Sequence, residues 1–225
     1  MSRVKFLPRD RFQQFLFVVF LIILSGSCIK PPYPDYLLMQ HVPTLAGALL
    51  LPFLSNRYDI SRLSFAAIIL FLILHTVGAR YLYSYTPYDA WSERWLGISI
   101  SDVFGFQRNH YDRLVHFSYG FLLAVPIQEF ERRHLRLLPA LSSVLAIECI
   151  LATSAAYELI EWLVAVIFTP DWADKFLGQQ GDMFDAQKDM ALATTGAILS
   201  IGALAIVNRW RVRLWTRTPN PSSPE

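Results

Sequence analysis

The side chains best suited to chemistry are acids and imidazoles set inside or beside long apolar stretches. Asp112 and His116 stand four residues apart, one helical turn along a single face. Glu158 and Glu161 share a face at a spacing of three, and Asp185 and Asp189 repeat the interval of four with Asp182 just ahead. His75 and Arg80 close another apolar stretch, and His110 precedes Asp112. Hard divalent ions take carboxylate oxygens, and zinc or iron accept imidazole as well. Asp112, His116, Glu158, Glu161, Asp185 and Asp189 therefore form a candidate ligand set for a divalent metal ion, and His75, Arg80, His110 and Asp182 complete a polar pocket around it. Two other readings stand beside this one. The acids could pass protons or gate a substrate, or Arg80, Arg113 and Lys188 could neutralise them and fix helix packing. The candidate acids and imidazoles lack the Glu-x-x-His pairs of di-iron bundles, and the chain lacks Gly-x-Ser-x-Gly, His-Glu-x-x-His and a phosphate-cradling glycine loop, so the standard soluble hydrolase and nucleotide sites are excluded.

The elements that must position these residues are membrane helices. Of 225 residues 54% are apolar and 17% charged, which excludes a disordered chain, and a net charge of +2 gives no cause to expect a nucleic-acid partner. Cys28 and Cys149 lie far apart and build neither a disulfide framework nor a zinc signature. A hydrocarbon core about 30 Å thick needs roughly 20 mostly apolar residues. Six such runs occur, at 12–28, 36–54, 63–83, 114–130, 138–168 and 190–207. The fifth would be about 46 Å of helix, which a tilt near 40° reduces to about 35 Å, so it counts as one crossing.

Lysine and arginine in short loops set orientation. Thirteen fall on one side: Arg3, Lys5, Arg9 and Arg11, then Arg57 and Arg62, then Arg132, Arg133 and Arg136, and finally Arg209, Arg211, Arg213 and Arg217. Six fall on the other: Lys30, Arg94, Arg108, Arg113, Lys175 and Lys188. The expected fold is an all-α, polytopic bundle of six transmembrane helices in the inner membrane, with both termini cytoplasmic. Residues 1–215 form one domain embedded in the bilayer, and 216–225 a disordered tail. Tyr81, Tyr83, Tyr85, Tyr88, Trp91 and Trp95 mark the outer interface, Trp210 and Trp215 the inner one, and 89–96 reads as a short interfacial helix. The first span also resembles a signal peptide, apolar from Phe15 to Leu24 and followed by Ser25-Gly26-Ser27; its cleavage would leave five spans in the same orientation.

A carboxylate at mid-bilayer costs about 2.5 to 3.5 kcal/mol on insertion scales, and the fifth span carries Glu148, Glu158 and Glu161. These groups should be protonated, paired or turned to a wet cavity, and not exposed to lipid. Plainer roles suit other residues: interface pairing for Glu129 and Glu131, packing for His41, kinks at Pro43, Pro52 and Pro126, and close backbone approach at Gly196 and Ser200.

The run Arg108-Asn109-His110-Tyr111-Asp112-Arg113, followed by His116-Phe117 and Gly120-Phe121, resembles the signature of the YjdF family of bacterial inner-membrane proteins. Two further blocks agree: Glu158-Leu159-Ile160-Glu161-Trp162, and Phe176-Leu177-Gly178 running through Gln180-Gly181-Asp182 to Asp185-Ala186-Gln187 and Asp189-Met190. The chain departs from the pattern at Phe184, where tryptophan is usual, and at Tyr119, where glutamine is usual. The resemblance runs from about Tyr81 to Gly202 and implies a multi-pass inner-membrane protein, but it brings no catalytic assignment. A looser likeness to VanZ-like membrane proteins rests on Asp112 with His116-Phe117, the later acidic pair, and Asp189 seven residues before Gly196. Ala193 stands where that pattern has asparagine, so the likeness concerns helical architecture only.

Two functions follow as expectations. One is a membrane-embedded enzyme acting on an envelope lipid or lipid-linked substrate, its carboxylates serving as metal ligands or as general acid and base. The other is a non-catalytic transporter or envelope-assembly component in which Glu148 and Glu158 handle protons or ions. The lack of an internal repeat counts against alternating access.

Overall fold

A computed structural model describes residues 7–217, with side chains through Val207. Every regular element among them is helical: α1 (Arg11–Ser27), α2 (Pro34–Tyr58), α3 (Arg62–Arg80), α4 (Tyr88–Leu96), α5 (Ile100–Phe104), α6 (Tyr111–Arg133), α7 (Pro139–Ile167), α8 (Pro170–Leu177) and α9 (Asp185–Arg217). Local chemistry sets the starts and stops. Asp10 and Ser61 cap α1 and α3 by accepting from the backbone N–H groups of Gln13 and Ser64. Proline opens α2, α7 and α8, where its missing N–H costs nothing.

Four helices, α2, α3, α7 and α9, are long and apolar enough to cross a membrane, and α1 is a shorter apolar helix of 17 residues. The molecule is a polytopic membrane bundle. The count differs from the six expected runs because two fall short for different reasons, α1 in length and α6 in composition. At 23 residues α6 has the length, but Asp112, Arg113, His116, Gln128, Glu129 and Glu131 dilute its hydropathy. It packs against α3, α7 and α9 and so sits among the other helices.

Helix limits also shift from the expected runs. The third stops at Arg80, because Leu82 and Tyr83 take positive φ values of 53°. The last starts at Asp185, five residues early, since an acid suits the positive end of a helix dipole. It continues through Arg217, two residues into the expected tail. Residues 1–6 and 218–225, and the side chains of Trp210, Trp215 and the last four arginines, lie outside the described residues. Residues 139–167 form one unbroken helix, and 88–96 form the short helix α4. Helices α5 and α8 have no counterpart in the apolar pattern.

Two layers meet along α3 and α6. Phe17, Phe20 and Leu24 of α1 pack with Leu51 of α2 and with Phe65, Ile69 and Leu72 of α3. Small residues dominate the second core, where Ala124, Ala146, Ala193 and Ala197 surround Ile150 and Ile201. There α6 and α9 run side by side with Gly120 and Gly196 facing each other. A Cβ on Gly120 would overlap the Ala193 carbonyl, and one on Gly196 the Phe117 carbonyl. Close approach at Gly196 is thus realised, with Gly120 as its counterpart. Side-chain bonds fix directions: Arg62 to Asp10 (2.7 Å) and Arg133 to the Asp59 carbonyl (3.2 Å) tie one end, and Arg80 to the carbonyls of Ile29 (3.0 Å) and Lys30 (3.3 Å) ties the other.

Candidate functional site

The site begins with the polar segment that leads into α6. Asn109 and Gln180 bond reciprocally, Asn109 N–H to Gln180 Oε1 at 2.9 Å and Gln180 Nε2 to the Asn109 carbonyl at 3.0 Å. Asn109 Nδ2 also reaches the Thr86 carbonyl, and Arg108 Nη1 the Gln179 carbonyl at 2.7 Å. These bonds join the start of α6 to the loop before α9, so two polar helix ends arrive together.

Charges cover this junction. Arg113 and Lys188 converge on Asp182 Oδ2 at 2.5 and 2.6 Å, while Arg108 Nη2 lies 2.8 Å from Asp185 Oδ1. The Lys188 ammonium holds the Asp182 carboxyl down to about 2; partial burial opposes it, and the Phe184 N–H and Arg113 add to it. His110 stacks on Phe106 with ring centroids 4.0 Å apart. Burial, then Arg113 and Arg108, push its imidazole below the ordinary range. The Arg108–Asp185 contact is close but out of line, so Asp185 Oδ1 and Arg108 Nη2 stay buried without a hydrogen bond.

Beneath this cover the two helices present their donors to one point. Atoms of Asp112, His116 and Asp189 lie within 4.8 Å of one another. His116 Nε2 is 3.5 Å from Asp112 Oδ1 and 3.9 Å from Glu158 Oε1, which α7 supplies. Asp189 is only 2% exposed, and its Oδ1 has no hydrogen-bond partner; Glu158 Oε1 is likewise buried and unpartnered. Burying a carboxylate oxygen without a partner is costly. Two donors bonded to one ion at 2.0 to 2.6 Å lie at most about 5.2 Å apart, so the three-residue group has the span of a metal site.

A cavity of about 180 Å³ adjoins the cluster. Asp112, His116, His75 and Tyr83 line its polar side, and Phe71, Leu72, Tyr119 and Tyr157 its apolar walls. His75 is buried, with Nδ1 bonded to the Tyr83 hydroxyl and Nε2 unpartnered. Pro43 and Thr153, also on its lining, are exposed.

Among the expected residues, the structure brings together Asp112, His116, Asp189 and Glu158, with His75 across the cavity and Asp182, Asp185 and His110 in the cover. Glu161 lies one turn beyond Tyr157 on α7. Arg80 is elsewhere, because its guanidinium is engaged by the carbonyls that end α1. Glu148 is exposed, contrary to the expectation for the acids of the fifth span, since its face of α7 packs against no other described helix. Sequence reasoning passed over Arg108, Tyr83 and Tyr157. Arg108 belongs to the 108–113 motif and could have been found there; the two tyrosines carry no comparable signal.

Over residues 12–210 the chain matches the family described as "Predicted membrane protein (DUF2238)". The chain belongs to that family. A DUF2238 relative, the inner membrane protein YjdF of Escherichia coli (strain K12), is 36% identical over 169 residues, covering 75% of this chain and 77% of that protein. No solved structure matches. This DUF2238 chain is therefore a multi-pass inner-membrane protein, in agreement with the resemblance of its 108–121, 158–162 and 176–190 motifs.

Proposed function

We propose that the chain is a membrane-embedded, metal-dependent enzyme acting on an envelope lipid or lipid-linked substrate, with Asp112, His116 and Asp189 as ligands to a divalent ion. The observation that carries this reading is the convergence of those three donors beside the cavity, with Asp189 Oδ1 buried and unpartnered. Charge balance points the same way. Six acids, Asp112, Glu158, Glu161, Asp182, Asp185 and Asp189, face only Arg108, Arg113 and Lys188, and a divalent cation would offset most of the difference. Bound there, such an ion supplies Lewis-acid chemistry and lowers the pKa of a bound water. Glu158 holds or takes a proton next to His116, and the aromatic walls exclude bulk water. The exposed rim at Pro43 and Thr153 lets a lipid chain enter from the bilayer. A proton path through Glu148 and Glu158 has less support, because Glu148 stands on the exposed side of α7.

Detergent-purified protein is expected to hold about one divalent ion per chain by elemental analysis. His116→Ala and Asp189→Asn should lose it, and Glu148→Gln should keep it. Wild-type protein without stoichiometric metal, and indifferent to chelator, would overturn the proposal.

We also infer six crossings, α1, α2, α3, α6, α7 and α9, within one domain over residues 1–215 and with both ends on the cytoplasmic side. The basic loops and the alternating helix directions support this. A reporter active only in the periplasm should be silent when fused after Arg213; a signal there would refute the orientation.

A further inference from the structure

A second cavity, of about 260 Å³, lies at the opposite end of the bundle between the last turns of α2 and α6. Leu54, Tyr58, Ile60, Pro126 and Phe130 make its walls. Its two polar lining groups are already engaged. Glu129 accepts from the Ser61 N–H (3.0 Å) and hydroxyl (2.6 Å), and His134 Nε2 is 2.9 Å from the Tyr58 carbonyl. The interior is therefore apolar in effect.

The mouth is basic. The Arg57 guanidinium lies 5.4 Å from the Tyr58 ring, and Arg133 reaches across from α6 to the Asp59 carbonyl at 3.2 Å. Arg132 and Arg136 follow on the same exposed segment, and among the described residues they and Arg57 form no ion pair. The two ends of the bundle differ sharply in charge. Among the described residues this end carries seven arginines against four acids, whereas the end holding the candidate metal site carries seven basic residues against twelve acids.

An apolar crevice with an arginine mouth, on a protein surrounded by bilayer, has the chemistry of one ligand. We propose that this cavity binds an anionic phospholipid, with an acyl chain against Leu54, Ile60 and Pro126 and the headgroup phosphate between Arg57 and Arg133. Guanidinium forks match phosphate oxygens; Arg133 is shared with Glu129 at 2.6 Å, and net negative lipid charge is favoured by Arg57, Arg132 and Arg136, which have no acid partner among the described residues. A zwitterionic lipid offers the same phosphate with its charge already neutralised, so the site should discriminate against it.

The test uses full-length protein in detergent with phosphatidylglycerol, phosphatidylcholine or inorganic phosphate as probe, read by native mass spectrometry and thermal melting. Phosphatidylglycerol should give a retained adduct and a raised Tm; phosphatidylcholine and inorganic phosphate should give neither. Arg57→Ala, which removes no ion pair, should weaken phosphatidylglycerol binding about fivefold, the factor for about 1 kcal/mol per basic side chain near an anionic surface. Ile60→Trp, which fills the crevice, should block the adduct while leaving metal content unchanged. Equal retention of the two lipids, binding of inorganic phosphate in place of lipid, or wild-type lipid affinity in both variants would overturn the proposal.

Discussion

Gly120→Ala tests whether backbone contact between α6 and α9 holds the acid–histidine group together. A Cβ at residue 120 would lie 2.7 Å from the Ala193 carbonyl carbon and 2.9 Å from the Ala197 nitrogen, both backbone atoms that cannot rotate aside. The Ala193 carbonyl oxygen lies closer still, so opening these contacts to an ordinary 3.4 Å parts the helices by at least about 0.7 Å, the amount the carbon alone requires. Overpacking of this kind costs about 1 to 3 kcal/mol, and a backbone neighbour places it near about 3. Alanine recovers about 1 kcal/mol of helix propensity, which leaves about 2 kcal/mol lost, or about 4 to 8 °C in Tm. His116 lies one turn from Gly120, and Asp189 one turn from Ala193. The three donors now lie within 4.8 Å of one another, and parting α6 from α9 moves Asp189 away from Asp112 and His116, towards or past the roughly 5.2 Å that a shared ion allows. Calorimetric metal titration should therefore show at least tenfold weaker binding, although no ligand has changed. Gly202→Ala, on α9 with no atom within 4 Å, is the control and should be neutral or stabilising. A Gly120→Ala protein with wild-type Tm and metal affinity, or an equally damaged Gly202→Ala, would refute the reasoning.

Two further outcomes follow from the ends of the helices. The folded-state carboxyl of Asp182 sits at about 2, below its ordinary 3.8, so its pairing contributes stability above about pH 4 that is lost as pH falls towards 2. Melting curves of Asp182→Asn should lie below wild type at neutral pH and lose that acid-side slope; an unchanged slope would remove Asp182 from the cover. Arg80→Ala should destabilise by about 1 to 2 kcal/mol, the range for charge-assisted bonds discounted for partial exposure, because the carbonyls that end α1 lose their donor. Arg80→Lys should not restore it, since one ammonium cannot span carbonyls from Ser27 to Lys30; full rescue in a chemical-denaturation series would contradict this.

Much of the fold was legible because hydrocarbon demands long apolar helices, and the runs at 36–54, 63–83, 138–168 and 190–207 announce α2, α3, α7 and α9. Helices α5 and α8 were not legible, being too short for a period and set in segments rich in charge and glycine. The site was half legible. Spacings of three and four place acids on one face of their own helix, but they do not say which faces meet. That depends on Gly120 and Gly196, whose missing side chains bring Asp112 and His116 beside Asp189. Arg80 shows the reverse failure: its place at the end of α3 suggested the pocket, and the open carbonyls at the end of α1 took it instead.

Helix α6 explains why a hydropathy count and the structure disagree. A helix facing lipid must be apolar around its circumference, whereas one enclosed by α3, α7 and α9 need only match its neighbours. Asp112, Arg113 and His116 sit in its first two turns, against acids and cations from α7, α9 and the loop before α9, and Glu129 near its other end accepts from both Ser61 and Ser64. Most of the polar residues that lower its hydropathy thus meet a partner supplied by another element; Glu131, whose buried Oε2 has none, is the exception. The least apolar of the long helices is in this way the one that brings the candidate site together, and both cavities open along its sides. Polar residues on an enclosed membrane helix locate function better than those on an exposed one, and Glu148, on the exposed face of α7, is the contrast within the same molecule.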